Sequence, residues 1–288
     1  MRHGPWVAAL LLGVLTSTLA AAEHELPKPA WEAGLALGWA DFESYPGSAN
    51  RHALIAGAPW FIYRGRHLRA SGRSARVVFL ETPTSWIDLS GGGWVPVDSS
   101  EEARRQSMPD LDMVVQLGPR AGRMLSRGEH HEALVRVGVR GAWSFAAFND
   151  NAYRGYLAEP QIRLVWRPRG HDGGVQFTST LSARWADREL NAYYYGVPAA
   201  FSTPERPAWE APAGLQSVGV RLSFGWRLHP RWTVGGFVGG RHLGPGVVGA
   251  SPLVETPTSI TAGVGVNWTF AASTRMVSGR RVNGDRPP

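Results

Sequence analysis

Arginine supplies almost all of the positive charge of this chain, and its spacing is the first feature that could do chemistry. The formal net charge is +7, and the chain has a single lysine, Lys28. Seven arginines fall on the polar face of segments that alternate like β-strands, where every second side chain shares a face. They are Arg136, Arg140, Arg163, Arg167, Arg184, Arg221 and Arg227. Such a face could attract small anions, or it could pair with acidic side chains.

Three other groups have residue types that catalysis or binding could use. Ser126 lies near His130 and His131, which could form a nucleophile and base, although adjacent histidines in a polar turn are typically solvated. Asp110 and Asp112 share a face if extended and could hold a cation or act as an acid–base pair. A loop closed by Pro109-Asp110 is the favoured interpretation. The run Tyr193–Tyr195 could bind a glycan, but an interfacial anchor is favoured.

Known signatures of catalytic and cofactor sites are missing from the sequence. No zinc-ligand spacing, phosphate-cradling glycine loop or nucleophile elbow occurs. The chain has no cysteine, which excludes a lipoprotein and a disulfide-stapled domain. We therefore predict a protein that is not an enzyme, with no cofactor and with no catalytic, cofactor-binding or metal residues. A lipid or glycan hydrolase using Ser126 and His130 is the least supported alternative.

The N-terminus has the three parts of a secretory signal peptide. Arg2 is followed by an apolar run from Trp6 to Leu15, and Ala20-Ala21-Ala22 provides small residues before Glu23. The apolar run is too short to span a bilayer. We expect residues 1–22 to be cleaved as a signal peptide.

The elements that would position the arginines are recognisable by period-two alternation. In 215–228 one face is apolar, and the opposite face carries serine, glycine and arginine. Twelve segments behave as strands, with ten strands as the alternative count because the third to fifth alternate poorly. They lie near 31–40, 51–62, 66–72, 75–80, 84–89, 112–118, 132–148, 160–167, 174–185, 215–228, 231–241 and 260–270.

Strand length and aromatic placement favour a membrane barrel over a soluble sandwich. Several segments reach the roughly 9–11 residues that a tilted membrane strand needs. Tryptophans fall at strand ends, as in the aromatic girdles of outer-membrane barrels. One set is Trp39, Trp143 and Trp185, and the other is Trp60, Trp166, Trp226, Trp232 and Trp268. We predict an all-β, antiparallel up-and-down transmembrane β-barrel in the outer membrane of a Gram-negative bacterium.

The connections of this barrel are expected to alternate in length. Long ones include 41–50, 90–111, 149–159, 186–214 and 242–259, which we assign to the outside, with 119–131 as an unusually long periplasmic turn. The predicted barrel occupies residues 23–270, and 271–288 reads as a disordered polar tail.

The basic charge needs a partner other than nucleic acid, because the arginines are dispersed and the protein is exported. We expect contacts with outer-membrane lipid and lipopolysaccharide, or a cationic barrel lining. In a narrow interior the seven arginines either pair with Glu32, Glu132 and other acids, which is the favoured interpretation, or line a small anion-preferring pore.

Three ordered segments resemble one family. They are Gly34–Gly38 with Tyr45-Pro46-Gly47-Ser48, then Met108–Asp112 with Gln116–Pro119, and finally Trp185-Ala186-Asp187 with Tyr193–Val197 and Gly214-Leu215. Together they resemble the MltA-interacting protein/OmpV family of outer-membrane barrels. The chain departs from the family pattern in 73–106 and by continuing past Phe270.

The resemblance implies a non-catalytic outer-membrane barrel. For one branch it implies a scaffold joining a murein transglycosylase to a peptidoglycan synthase, in murein hydrolysis and synthesis. We expect that role, through turn 119–131 and the tail. A small anion-preferring channel for solute uptake is the alternative.

Overall fold

The polypeptide forms one sheet that closes on itself, as the alternating sequence predicts. The computed structural model describes residues 28–64, 68–71, 74–145, 151–170 and 174–277. The predicted signal peptide, 1–22, lies outside the described residues. Fourteen strands are present within the described part. They are β1 Lys28–Pro29, β2 Trp31–Glu43, β3 Arg51–Arg64, β4 Leu68–Ser71, β5 Ser74–Glu81, β6 Ser85–Trp94, β7 Met113–Arg127, β8 His131–Phe145, β9 Ala152–Trp166, β10 Val175–Ala186, β11 Gly214–His229, β12 Trp232–Leu243, β13 Thr258–Ala272 and β14 Met276–Val277.

Strands β2 to β13 form a closed twelve-stranded barrel in which each strand pairs antiparallel with its sequence neighbours and β13 closes against β2. This confirms the predicted fold and the count of twelve. The one α-helix in the described residues, α1, spans Arg188–Tyr195 between β10 and β11. No described helix has the length and apolar character needed to cross a membrane.

Alternation divides the side chains between two faces. The outer face is apolar and accessible, with Leu37, Leu181 and Leu222 each more than half exposed. Aromatic pairs lie at both ends of this face. Trp143 and Tyr153 lie 5.7 Å apart at one end, and Trp232 stacks on Trp268 at 6.0 Å at the other. An apolar band between aromatic rings is the surface that a lipid bilayer requires.

Trp60 is an exception to the predicted girdles. Alternation places it on the face opposite the exposed Pro59 and Phe61, and its indole packs where a side chain at Gly34 would be. Strand β3 carries apolar residues on both faces, so its pattern could not say which face looks outward.

Two predicted connections are wrong. Segment 119–131 is mostly strand, because β7 continues to Arg127 and the turn contains only residues 128–130. Gly118 and Pro119 resemble a turn, but the ladder to β8 resumes at Arg120 in the same register. Segment 149–159 is also largely strand, since β9 begins at Ala152.

The C-terminal boundary also differs from the prediction. Strand β13 extends to Ala272, and Met276–Val277 pairs with Lys28–Pro29 as a small sheet beside the barrel. The predicted tail, 271–288, therefore begins with paired backbone, and its residues 278–288 lie outside the described residues.

Long and short connections lie at opposite ends of the barrel. The long-connection end includes residues 44–50, 95–112, 187–213 and 244–257. The short-turn end includes 82–84, 128–130 and 230–231, together with the β1–β14 pair.

Candidate functional site

The polar face of strands β8 to β11 carries most of the predicted arginines, and Glu159 of β9 is the centre of the largest ion-pair group there. Arg140 of β8 forms an ion pair with the Glu159 carboxylate, and Arg184 Nη2 of β10 lies 3.3 Å from Oε2 of the same group. Gln161 donates a hydrogen bond of 2.7 Å to its other oxygen. Register places these side chains on one face. Arg140 is opposite Leu157, two residues before Glu159, and Ser182, two residues before Arg184, is opposite Gln161.

A second group surrounds Glu132 near the short-turn end. Arg127 Nε lies 3.3 Å from Glu132 Oε1, and Arg167 Nη2 lies 3.4 Å from Oε2. Glu132 and Arg167 are both buried. Arg167 directly follows the end of β9, and Glu132 lies at the start of β8. This ion pair therefore joins the end of β9 to the start of β8.

Arg136, Arg163 and Arg221 have different surroundings. Arg136 Nε donates to Gln161 Oε1, and the Arg221 guanidinium lies over the Phe237 ring at 4.3 Å. Within the described residues, no carboxylate oxygen lies within 4.0 Å of these three guanidiniums. Their charge is therefore less compensated than that of Arg140 or Arg184. Arg227, at the end of β11, is exposed.

Sequence reasoning missed further ion pairs on the same face. Glu32, expected to pair with the seven arginines, pairs instead with Arg64 of β3. Asp88 is fully buried and accepts two hydrogen bonds from Arg120, of 3.0 and 3.1 Å. Glu43 is 1 % exposed and accepts one of 2.9 Å from Arg241. Arg120 lies in segment 119–131, which the sequence predicts as a turn. Arg241 could have been found, because it continues the alternation of β12.

The long-connection end is covered by a folded cap, which we define as the loops 44–50, 95–112, 187–213 and 244–257 with helix α1. Its buried core joins side chains from these loops and from adjacent strand ends. The core residues are Tyr45, Val97, Leu111, Val114, Ala142, Leu157, Ala186, Leu190, Tyr194, Tyr195, Ala211, Leu243 and Val248. Packing of this kind is typical of a domain core and gives the cap a defined structure.

Hydrogen bonds tie the cap loops together. Ser48 Oγ donates to Glu102 Oε2 at 2.7 Å, and Ser251 Oγ donates to the Tyr195 carbonyl oxygen at 2.7 Å. The Arg105 guanidinium donates to the carbonyl oxygens of Tyr194 and Pro109. Burial lowers the pKa of Arg105 from its usual value. Each loop thus holds at least one other loop in place.

The tyrosine run is part of the cap core and is not an interfacial anchor. Tyr194 and Tyr195 are buried in α1, and burial raises the pKa of both phenols. The Tyr193 hydroxyl accepts a hydrogen bond of 2.8 Å from the Asp112 amide. Asp187 is the N-cap residue of helix α1, and its carboxylate accepts a hydrogen bond from the Leu190 amide.

The other candidate groups have structural neighbours. Asp110 accepts from the Ser99 amide at 2.8 Å, which agrees with a loop-closing role. Ser126 Oγ lies 3.1 Å from His131 Nε2 at an exposed position, and no third residue of the described chain forms a hydrogen bond with that imidazole. Among the residues that the structure describes, no group of three or more His, Asp or Glu could hold a metal ion.

The family comparison decides the relationship of the chain. The model of the family described as MltA-interacting protein MipA matches residues 33–270, which covers every strand of the barrel except the ends of β2 and β13. The chain belongs to the MipA family. This confirms the resemblance drawn from the sequence, and with the barrel it identifies an outer-membrane protein. A comparison with curated proteins gives no match.

Solved barrels resemble the chain in fold only. The COG4313 outer membrane channel from Pseudomonas putida F1 has 10 % identity and a TM-score of 0.46, covering 86 % of this chain and 98 % of that one. The NanC porin has 7 % identity and a TM-score of 0.39, with coverage of 81 % and 98 %. The CymD monoaromatic hydrocarbon channel has 10 % identity and a TM-score of 0.36, with 94 % coverage of both chains.

Proposed function

We propose that this MipA-family barrel is a non-catalytic structural protein of the outer membrane that acts as a scaffold for murein hydrolysis and synthesis. The single observation that carries the proposal is the folded cap, whose buried core lies over one end of the barrel. A covered mouth and an interior crossed by ion pairs favour a static barrel over one built for transport. The family description supports a murein transglycosylase as one partner, and the resemblance adds a peptidoglycan synthase.

The scaffold surface in this proposal is the short-turn end. The β1–β14 pair lies there with the turn 128–130, and the chain continues from Val277 into residues 278–288. We assign this end to the periplasm, where murein enzymes act. We also propose that residues 1–22 are removed on export and that the barrel contacts lipid and lipopolysaccharide around its circumference.

Affinity capture from solubilised envelopes tests the scaffold. Tagged full-length mature protein is expected to recover a murein transglycosylase and a peptidoglycan synthase. A variant lacking 278–288, or with Glu129 and His130 replaced by glycines, should recover less of them while its barrel remains folded. Recovery of neither enzyme by the intact protein contradicts the proposal.

A small anion-preferring channel is the second candidate. The observation in its favour is the set Arg136, Arg163 and Arg221, which lies on the polar face with no carboxylate oxygen of the described residues within 4.0 Å. In this proposal the seven predicted arginines line a lumen that conducts when the cap is displaced. Planar-bilayer recordings test it. Conductance should prefer chloride over potassium and lose that preference in Arg136→Gln/Arg163→Gln, and absence of conductance in wild type rules the channel out.

A further inference from the structure

The barrel wall is incomplete between β3 and β6. Strand β3 pairs with β2 along its whole length, but β4 pairs only with Ile62, Tyr63 and Arg64. Strand β5 reaches β6 only between Trp86 and Asp88. In the described part of the chain, residues 51–61 of β3 and 89–94 of β6 have no paired neighbour on their facing edges. We call this opening the lateral window.

The lateral window lies at the level of the apolar band. On the neighbouring strand β2, Trp39 is opposite Ile55 and Trp31 is opposite Tyr63, so these aromatic residues bracket the β3 edge from both ends. Ile55, at the level of Trp39, is 71 % exposed, and residues 57–61 lie between the two aromatic levels. At the long-connection end of the window, Trp94 Nε1 donates a hydrogen bond of 2.9 Å to the Ser44 carbonyl oxygen and links β6 to the cap. The opening therefore faces acyl chains and not headgroups.

The inner wall beside the window is apolar, unlike the arginine-rich wall across from it. Leu54, Ala56, Ala58 and Trp60 alternate with the outward residues of β3 and are all partly exposed. Water against these side chains costs free energy in proportion to their apolar area. An apolar occupant would remove that cost. A protein strand added to the open edges would close the wall but leave this inner strip wet.

On the β6 side of the window, polar side chains lie next to a glycine, Gly92. A side-chain carbon at Gly92 would lie 3.1 Å from Gln116 Oε1 and 3.2 Å from Arg140 Nη1. The glycine therefore lets the Arg140 guanidinium approach the edge of β6. Arg140 Nη2 pairs with Glu159, so an anionic group that enters through the window would meet Nη1, on the side of the guanidinium that faces Gly92.

We propose that the lateral window admits an anionic membrane lipid. Its acyl chain lies along Leu54, Ala56 and Ala58, and its headgroup faces Arg140. Prolines are tolerated at unpaired strand edges because they have no amide to leave unsatisfied, and Pro59 occupies such a position on β3. The proposal is independent of the scaffold function, since it concerns the wall and not the short-turn end.

Accessibility of a nitroxide at the inner wall tests the acyl chain. The chain has no cysteine, so Ala58→Cys can be spin-labelled specifically in vesicles of phosphatidylethanolamine and phosphatidylglycerol. Gly57→Cys, on the outward face of the same strand and between the two aromatic levels, is the lipid-exposed control. We expect oxygen to reach the label at 58 more readily than a water-soluble nickel chelate does, as at 57. Greater access for the nickel chelate means a water-filled opening, and low access for both means a covering strand. Either result overturns the proposal.

Binding of spin-labelled lipid tests the headgroup. Wild type should immobilise spin-labelled phosphatidylglycerol in preference to phosphatidylcholine. Arg140→Gln should lose that preference, and Ala58→Trp should lose the immobilised component beyond the ordinary boundary shell. Gly57→Trp, on the outward face next to Ala58, is the matched control and should change neither. Equal retention of both lipids by wild type overturns the anionic assignment.

Discussion

The Tyr45 hydroxyl donates a hydrogen bond of 2.7 Å to the carbonyl oxygen of Leu253, and both residues are completely buried. This bond joins the first long loop to the last one and fixes two loops that are 208 residues apart in the chain. The first long loop follows β2 and the last one precedes β13. Because β13 pairs with β2 where the barrel closes, closure brings the two loops together.

Tyr45→Phe should loosen the cap without unfolding the barrel. The change leaves the Leu253 carbonyl without its donor, which costs about 1–3 kcal/mol for a buried group. We expect faster proteolytic cleavage in 244–257, measured by mass spectrometry of timed digests. Tyr156→Phe is the control, because Tyr156 is half exposed on the outer wall. Equal cleavage rates in the two variants would show that the bond contributes nothing.

Alkaline pH should open the cap. The phenols of Tyr45 and Tyr195 have pKa values raised above the ordinary value of 10.0, and burial is the largest cause. A raised pKa means that the stability contributed by the neutral phenols is present below pH 10 and is lost as the pH rises above it. Protease sensitivity of the cap should therefore increase from about pH 10 upward, and tyrosinate absorbance should follow it. A cap equally resistant at pH 8 and 11 contradicts this.

Glu159→Gln should destabilise the barrel itself. The substitution leaves Arg140 and Arg184 without their shared carboxylate, and loss of one partner of a buried ion pair costs about 3 kcal/mol. Urea unfolding in lipid vesicles should show a lower midpoint. Glu210→Gln removes the 3.7 Å exposed pair with Arg188 and should leave the midpoint unchanged. A midpoint at the wild-type value would mean that water or other groups solvate both arginines.

Gly155→Ala should also reduce stability. Gly155 has a φ of +101°, which L-residues with a side chain rarely adopt, and an added methyl group would overlap the Asp187 carboxylate that caps α1. The backbone strain alone costs about 1–3 kcal/mol. Gly246→Ala is the control, since nothing lies within 4 Å of that position. Thermal unfolding monitored by circular dichroism measures both, and equal shifts would exclude strain at Gly155.

The outer face and the strand count could be predicted from the sequence because each strand repeats its pattern every two residues. Strand β11 illustrates this, since its predicted range of 215–228 differs from the observed Gly214–His229 by one residue at each end. Pro119 shows the limit of such reasoning. Gly118-Pro119 has the composition of a turn. Pairing of β7 with β6 on one side and β8 on the other nevertheless keeps this stretch extended.

The interior and the cap could not be predicted in the same way. Alternation places Arg140 and Arg184 on polar faces, but Glu159 lies in a segment predicted as a connection, and only the register of three strands brings both arginines to its carboxylate. Nothing in the run Tyr193–Tyr195 distinguishes an interfacial anchor from a core, because that depends on packing against loops that are distant in the sequence. The sequence by itself determined which face of most strands meets lipid, because this is a property of neighbouring residues, but it left the outer face of β3 undecided. Only the tertiary structure decided which charges pair, where the wall is open and what covers the mouth, since these depend on contacts between distant segments.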